Sequence, residues 1–291
     1  MVEVRKEDLE RVKEQIYSIR EKIAEIQGPN SVGEKDFVYI EARDLDDLYF
    51  QSVMGALKHG ELNPVEEGSH AGSIRLEFPG FGCCVKNPTT RPLAPSTREG
   101  IPVATDDEAI HKYFQNYLLD GRLEPNEHYR YSTWISGIQN PNIPLEHKGI
   151  PRGTRLNQLE WCVKHFTEKG YGTNHCAITV GCAEGLQRYD WPYKNESERG
   201  TTECLRGISL KIRKENQLDV STFWRSWDLY NGFPENLGGF AHLIEYTANL
   251  INATKKEEQS EVKPGRLYAY SDGLHIYSHS LDLAKLWANI N

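Results

Sequence analysis

The chain has 291 residues, with 34 Lys and Arg against 42 Asp and Glu, a formal charge of −8. A 38% hydrophobic and 10% aromatic content is enough for a packed core and excludes a disordered chain, and the acidic balance excludes a nonspecific nucleic-acid coat, which needs a basic footprint. No apolar run approaches the ~20 residues of a membrane span and no cationic-then-apolar leader opens the chain, so a cytoplasmic protein with neither membrane nor nucleic acid as partner is expected.

In chain order, the first predicted element is a helix over 4–27. Leu9, Val12, Ile16, Ile19, Ile23 and Ile26 form a narrow heptad seam on it, stopped by Gly28-Pro29. Such a helix packs along another, within the subunit or across a dimer. Phe37 to Ile40 reads as a strand, Leu45 to Lys58 as a helix, Gly60 to Gly72 as a polar loop and Ser73 to Phe78 as a short strand. Asn87 to Val103 reads as extended connection. Thr105 and Glu108 form a capping box before a helix carrying Tyr113, Phe114, Tyr117 and Leu118. Gly137 to Gly153 is loop, and Leu156, Leu159, Val163 and Phe166 mark a helix ended by Gly170.

The second half mixes strands and helices. His175 to Ala183 is a buried strand candidate. Leu205 to Arg213 alternates and turns at Glu215-Asn216 into Leu218 to Trp224. Asn236 to Ile251 is a helix, Arg266 to Tyr270 a strand behind Pro264-Gly265, and Ser280 caps a last helix. Because strands are mixed with helices rather than regularly followed by them, the expected class is α+β, one domain over 30–291 behind the helical segment 1–29.

Three clusters carry chemistry. Cys204 opens a strand, with Arg206 two residues on; Arg225-Ser226-Trp227-Asp228 precedes Gly232-Phe233-Pro234-Glu235-Asn236; and His275-Ile276-Tyr277 lies near the end. The other cysteines, Cys83, Cys84, Cys162, Cys176 and Cys182, fall in apolar or strand-like segments without CxxC or zinc-type spacing. They read as buried small hydrophobes in a reducing compartment, and no metal is expected. A thiolate is the reactive form of cysteine, and a nearby guanidinium such as Arg225 favours it.

In order and spacing these residues resemble the thymidylate synthase and pyrimidine nucleotide hydroxymethylase family. The resemblance is clearest from about Gly200 to Tyr277, fainter from Phe37 onward, and does not reach the N-terminal helix. It implies a homodimeric fold with a mixed sheet and packed helices. It also implies transfer of a one-carbon unit from 5,10-methylenetetrahydrofolate, or a related reduced pterin, to C5 of a pyrimidine nucleotide. In that scheme Cys204 adds to C6 and Arg225 with Ser226 holds phosphate. Asn236 pairs with uracil, in competition with a plain helix-capping role. Asp228 faces the pterin, and His275 with Tyr277 holds the sugar. Methylation of dUMP is the first expectation. Hydroxymethylation, on a deoxyribo- or ribonucleotide, is the alternative, and a noncatalytic nucleotide-binding relative is the rival from another class.

Departures from the family pattern accompany the resemblance. The 60–72 loop lacks the usual arginine, and Tyr171-Gly172-Thr173-Asn174-His175 stands where a partner subunit lends two. Of four phosphate arginines only Arg225 is present, with Arg188, Arg199 and Arg206 as substitutes if they are not surface charges. Leu205 replaces the histidine that commonly follows the nucleophile, and Tyr113 falls where the family has a glutamate. Few residues follow Tyr277, so the expected cover over the ligands is short, and a less covered site admits the water that gives hydroxymethyl.

Overall fold

A computed structural model describes residues 37–66, 70–97, 99–102, 104–123, 127, 129–147, 150–190, 192 and 201–289. The predicted helix over 4–27 and Arg199 lie outside the described residues. Strand β1 (Val38–Ala42) leads to helix α1 (Leu45–His59), then β2 (Glu61–Pro64), β3 (Ile74–Glu77) and β4 (Phe81–Val85). Helix α2 (Asp107–Tyr113) runs into a π-helical turn over Phe114–Leu119. Short helix α3 (Ser132–Ile135), a ribbon of β5 (Glu146–His147) and β6 (Ile150–Pro151), helix α4 (Gln158–Lys169) and β7 (Ala177–Thr179) follow. After a 3₁₀ segment at Ala183–Asp190 come β8 (Leu205–Ile212), β9 (Gln217–Trp224), β10 (Trp227–Asp228), α5 (Gly232–Thr254), β11 (Lys263–Ser271), β12 (Leu274–Tyr277) and α6 (Ser278–Ala288).

Six strands form one mixed sheet in the order β1-β4-β11-β9-β8-β7, and four form a smaller one, β10-β12-β3-β2. Along β1 burial alternates, turning Val38, Ile40 and Ala42 inward and Tyr39 outward. Helix α5 covers the inner face with Phe240, Leu243, Ile244, Ala248 and Ile251, all removed from water. Each of these side chains except Ala248 stabilises the fold by about 1.5–3 kcal/mol. The result is the α+β class expected from the sequence. Helix α2 crosses α5 at closest range where α5 has no side chains. A Cβ at Gly238 would meet Ile110 Cγ2 at 2.7 Å, and one at Gly239 would meet Tyr113 Cδ1 at 2.5 Å.

Several local expectations are corrected. Within the predicted 60–72 loop, Glu61–Pro64 is a strand, because Leu62 pairs with Leu76 and Asn63 with Arg75 across an antiparallel ladder. Strand β4 had no sequence signal of its own, being buried at every position and therefore without alternation. Helix α2 is capped one residue later than expected: Asp106 accepts from the Ala109 amide at 2.7 Å, while Thr105 is buried and Glu108 instead ion-pairs with Lys112. Ser280 is not a cap, since α6 already begins at Ser278. The 175–183 strand shrinks to Ala177–Thr179, and Pro264-Gly265 lies inside β11, at a register shift against β9. At Gly170 the sequence was explicit, because its φ of 96° favours glycine and ends α4.

Candidate active site

Cys204 sits immediately before β8, and Arg225 immediately after β9, its antiparallel neighbour. The Arg225 amide donates to the Cys204 carbonyl at 2.9 Å, so the hairpin itself sets the two side chains together. From Arg225, Nη2 lies 3.8 Å from Cys204 Sγ and also donates to the Thr202 carbonyl at 2.9 Å, while Nε donates to the Glu203 carbonyl at 3.1 Å. These carbonyls hold the guanidinium in place beside the sulfur. Cys204 is half-buried, unlike Cys83, Cys84, Cys162 and Cys176, which are fully buried. A reactive thiol needs that combination of access and adjacent positive charge.

A second donor to the sulfur comes from a residue that the sequence did not single out. The Tyr129 hydroxyl donates to Cys204 Sγ at 3.8 Å, and burial, with the nearby thiol, holds its pKa well above that of an ordinary phenol. It therefore remains a proton donor. Tyr131 packs 5.6 Å from Tyr129, and Tyr117 stands edge-on to Tyr131 at 5.2 Å. Tyr129-Arg130-Tyr131 lies between predicted elements and has no motif spacing to mark it.

Next to Cys204 in the chain, Glu203 forms a buried ion pair. Glu203 Oε1 accepts from Arg188 Nη1 and from Trp134 Nε1, each at 3.0 Å, and neither member of the Arg188–Glu203 pair reaches solvent. Arg188 is thus neither a surface charge nor a replacement phosphate ligand. It neutralises the carboxylate of the residue before Cys204, as a charge so deeply buried must be paired. Arg206 Nη1 stands 3.8 Å from Glu203 Oε2 and keeps some exposure.

Asn236 and the His-x-Tyr pair reach the same region through β10. Trp227 stacks on Trp224 at 4.1 Å, and its indole Nε1 donates to Asn236 Oδ1 at 2.8 Å. Asn236 is therefore not the helix cap, since α5 begins at Gly232 and Asn236 is its fifth residue, just past the first turn. Asp228 pairs with His275 in the parallel β10–β12 ladder. Its Oδ1 accepts from the Tyr230 and Asn231 amides and its Oδ2 from Asn231 Nδ2, which shapes the turn that launches α5. Ser226 is half-buried in the bend between Arg225 and Trp227.

On β12, His275 and Tyr277 share one face with ring centroids 4.5 Å apart. His275 Nδ1 meets the Gly273 carbonyl at 2.9 Å, and a carbonyl only accepts, so Nδ1 carries the proton and Nε2 is the acceptor. Nε2 is buried without a partner among the described residues, and burial lowers the imidazole pKa to about 4, keeping the ring neutral. Across the ladder from Tyr277 is Arg75, a cation missed in the sequence, paired with Glu77 at 2.8 Å. A cavity of about 510 Å³ lined by Tyr113, Tyr117, Tyr131, Glu235 and Asn236 opens beside the site. Among the described residues no group of His, Cys, Asp and Glu is arranged to hold a metal, and no helix is long and apolar enough to cross a membrane.

No family model matches the chain. It is 22% identical over 246 residues, 84% of this chain and 92% of the other, to a protein of Methanosarcina acetivorans provisionally named as a thymidylate synthase. A protein of Methanopyrus kandleri with the same provisional name is 22% identical over 245 residues, 83% and 94% of the two chains. One from Methanothermobacter marburgensis is 27% identical over 95 residues, 33% and 38%. Taken with the α+β fold, likeness to the Methanosarcina and Methanopyrus proteins over nearly their whole length supports the resemblance of the chain to the thymidylate synthase family.

Proposed function

We propose that the protein transfers a one-carbon unit from a reduced folate to C5 of a uridine nucleotide through a covalent Cys204 adduct, with methylation of dUMP as the reaction. The observation that carries this reading is the half-buried Cys204 sulfur between two donors, Arg225 Nη2 and the Tyr129 hydroxyl. Both groups stabilise a thiolate, and a thiolate adding at C6 gives C5 the enolate-like charge it otherwise lacks. Asn236 keeps its amide N–H groups and one lone pair of Oδ1 after the bond from Trp227, enough to pair with uracil's O4 and N3–H. His275 Nε2 accepts from a sugar hydroxyl with Tyr277 alongside, and Arg225 with Ser226 attracts the phosphate.

Bound beside the base, the folate supplies the one-carbon unit and the hydride that completes a methyl group. The residues present fit a flat heterocycle: the 510 Å³ cavity has an aromatic wall of Tyr113, Tyr117 and Tyr131. Asp228 Oδ2 accepts one bond within the chain and retains a lone pair for a ring donor. A second copy of the chain would cover the outer face of the large sheet, where Phe37, Tyr39, Phe223 and Tyr270 stand exposed and Tyr270 stacks with Phe37 and Phe223.

The test is to incubate the protein with 5-fluoro-dUMP and methylenetetrahydrofolate and weigh it. The expected result is a mass increase at Cys204 that Cys204→Ala abolishes; a wild-type chain without an adduct would overturn the reading. Product mass after turnover with dUMP, UMP and CMP then separates methyl from hydroxymethyl and identifies the base.

A further inference from the structure

One polar group at the site has no bond to explain it. The Tyr113 hydroxyl is buried without a hydrogen-bond partner among the described residues, a rare condition in a packed interior. Its position is enforced rather than incidental. The ring fills the recess left by Gly239, where a Cβ would lie 2.5 Å from Cδ1 and 2.8 Å from Cε1, and Tyr117 stacks on it at 5.3 Å. Asn236 is three residues before Gly239 on the same helix, hence on the same face one turn away. The Tyr113 hydroxyl lies beside the Asn236 side chain without a bond of acceptable geometry, and both residues line the 510 Å³ cavity. Burial holds the phenol pKa well above its ordinary value, and the neighbouring Tyr117 and Glu235 oppose a phenolate further, so the group is a fixed donor.

We propose that Tyr113 donates a hydrogen bond to the carbonyl oxygen of the pyrimidine held by Asn236. The inference rests on Cys204 being the nucleophile. When a sulfur lone pair forms the S–C6 bond, the C5=C6 pair shifts toward C5 and the C4 carbonyl oxygen, which becomes anionic. The phenol proton stays on Tyr113 throughout, and reversal of the addition returns the pair to sulfur. A neutral donor fixed in advance toward that oxygen stabilises the charged adduct more than the free base, so its effect falls on rate rather than on ground-state binding.

Tyr113→Phe removes the hydroxyl alone and keeps the ring in its recess. With 5-fluoro-dUMP and methylenetetrahydrofolate, adduct formation at Cys204 is expected to slow by about 10²- to 10³-fold. The dUMP dissociation constant should stay within about threefold, and the thermal midpoint should be unchanged or higher, since a buried unpartnered hydroxyl has been removed. A variant that forms the adduct at the wild-type rate overturns the proposal and leaves Tyr113 a packing residue. A wild-type chain that forms no adduct overturns the nucleophile reading and this one with it.

Discussion

Two regions of the chain meet at the Cys204 sulfur and contribute differently. Residues 201–289 bring the thiol, Arg225, Asn236, His275 and Tyr277, polar groups seated on adjoining strands and one helix start. Residues 107–136 bring Tyr113, Tyr117, Tyr129, Tyr131 and Trp134, an aromatic wall from which the Tyr129 hydroxyl reaches the sulfur and the Trp134 indole reaches Glu203. The first set is ordered by hairpin geometry and survives as a spacing in the sequence. The second is assembled by helix packing, and its members could be spaced otherwise and still converge. The proposed chemistry thus draws on a region that carries no motif.

The contrast can be broken most severely beside Cys204, where the 3₁₀ segment supplies Arg188 to Glu203. Arg188→Met leaves a buried carboxylate uncompensated and should cost about 3–5 kcal/mol in urea unfolding, with Glu203→Gln in the same chain recovering much of it. A loss below about 1 kcal/mol would mean the pair is not the buried anchor described here. Tyr129→Phe tests the aromatic wall directly. Removing one of two donors to the sulfur should slow adduct formation by about 10- to 100-fold, the worth of a hydrogen bond to a charged group.

The smallest expected effect lies on β12 and is read as a pH dependence. Folded His275 has a pKa of about 4 against 6.5 for an exposed imidazole, so on acidification the unfolded chain takes up the proton first. Stability is therefore fully present above pH 6.5 and is lost as pH falls toward 4, by about 2 kcal/mol at pH 5. His275→Gln should flatten that part of the curve; an unchanged slope would show that another group titrates there.

Legibility follows the same physical division. The β8–β9 hairpin was evident because Ile208, Leu210 and Ile212 alternate with polar neighbours and Glu215-Asn216 supplies the turn, both residues adopting positive φ. Strand β4 was hidden because burial on both faces erases alternation. Strand β2 was hidden because its partner, β3, makes a strand of a segment that reads as loop. Asn236 was identified as a base-pairing candidate, yet Trp227, which orients its amide, is found only by following the indole across the bend.

The sequence by itself determined the class of fold, the candidate cysteine and the order of the residues that follow it, because strand periodicity and turn chemistry are local and leave spacings behind. Tertiary structure alone decided what surrounds the sulfur. Tyr129 reaches Cys204 across 75 positions, and Arg188 finds Glu203 only once the chain has enclosed both. Such contacts are selected by burial and charge pairing in three dimensions, and no local pattern of residues records them.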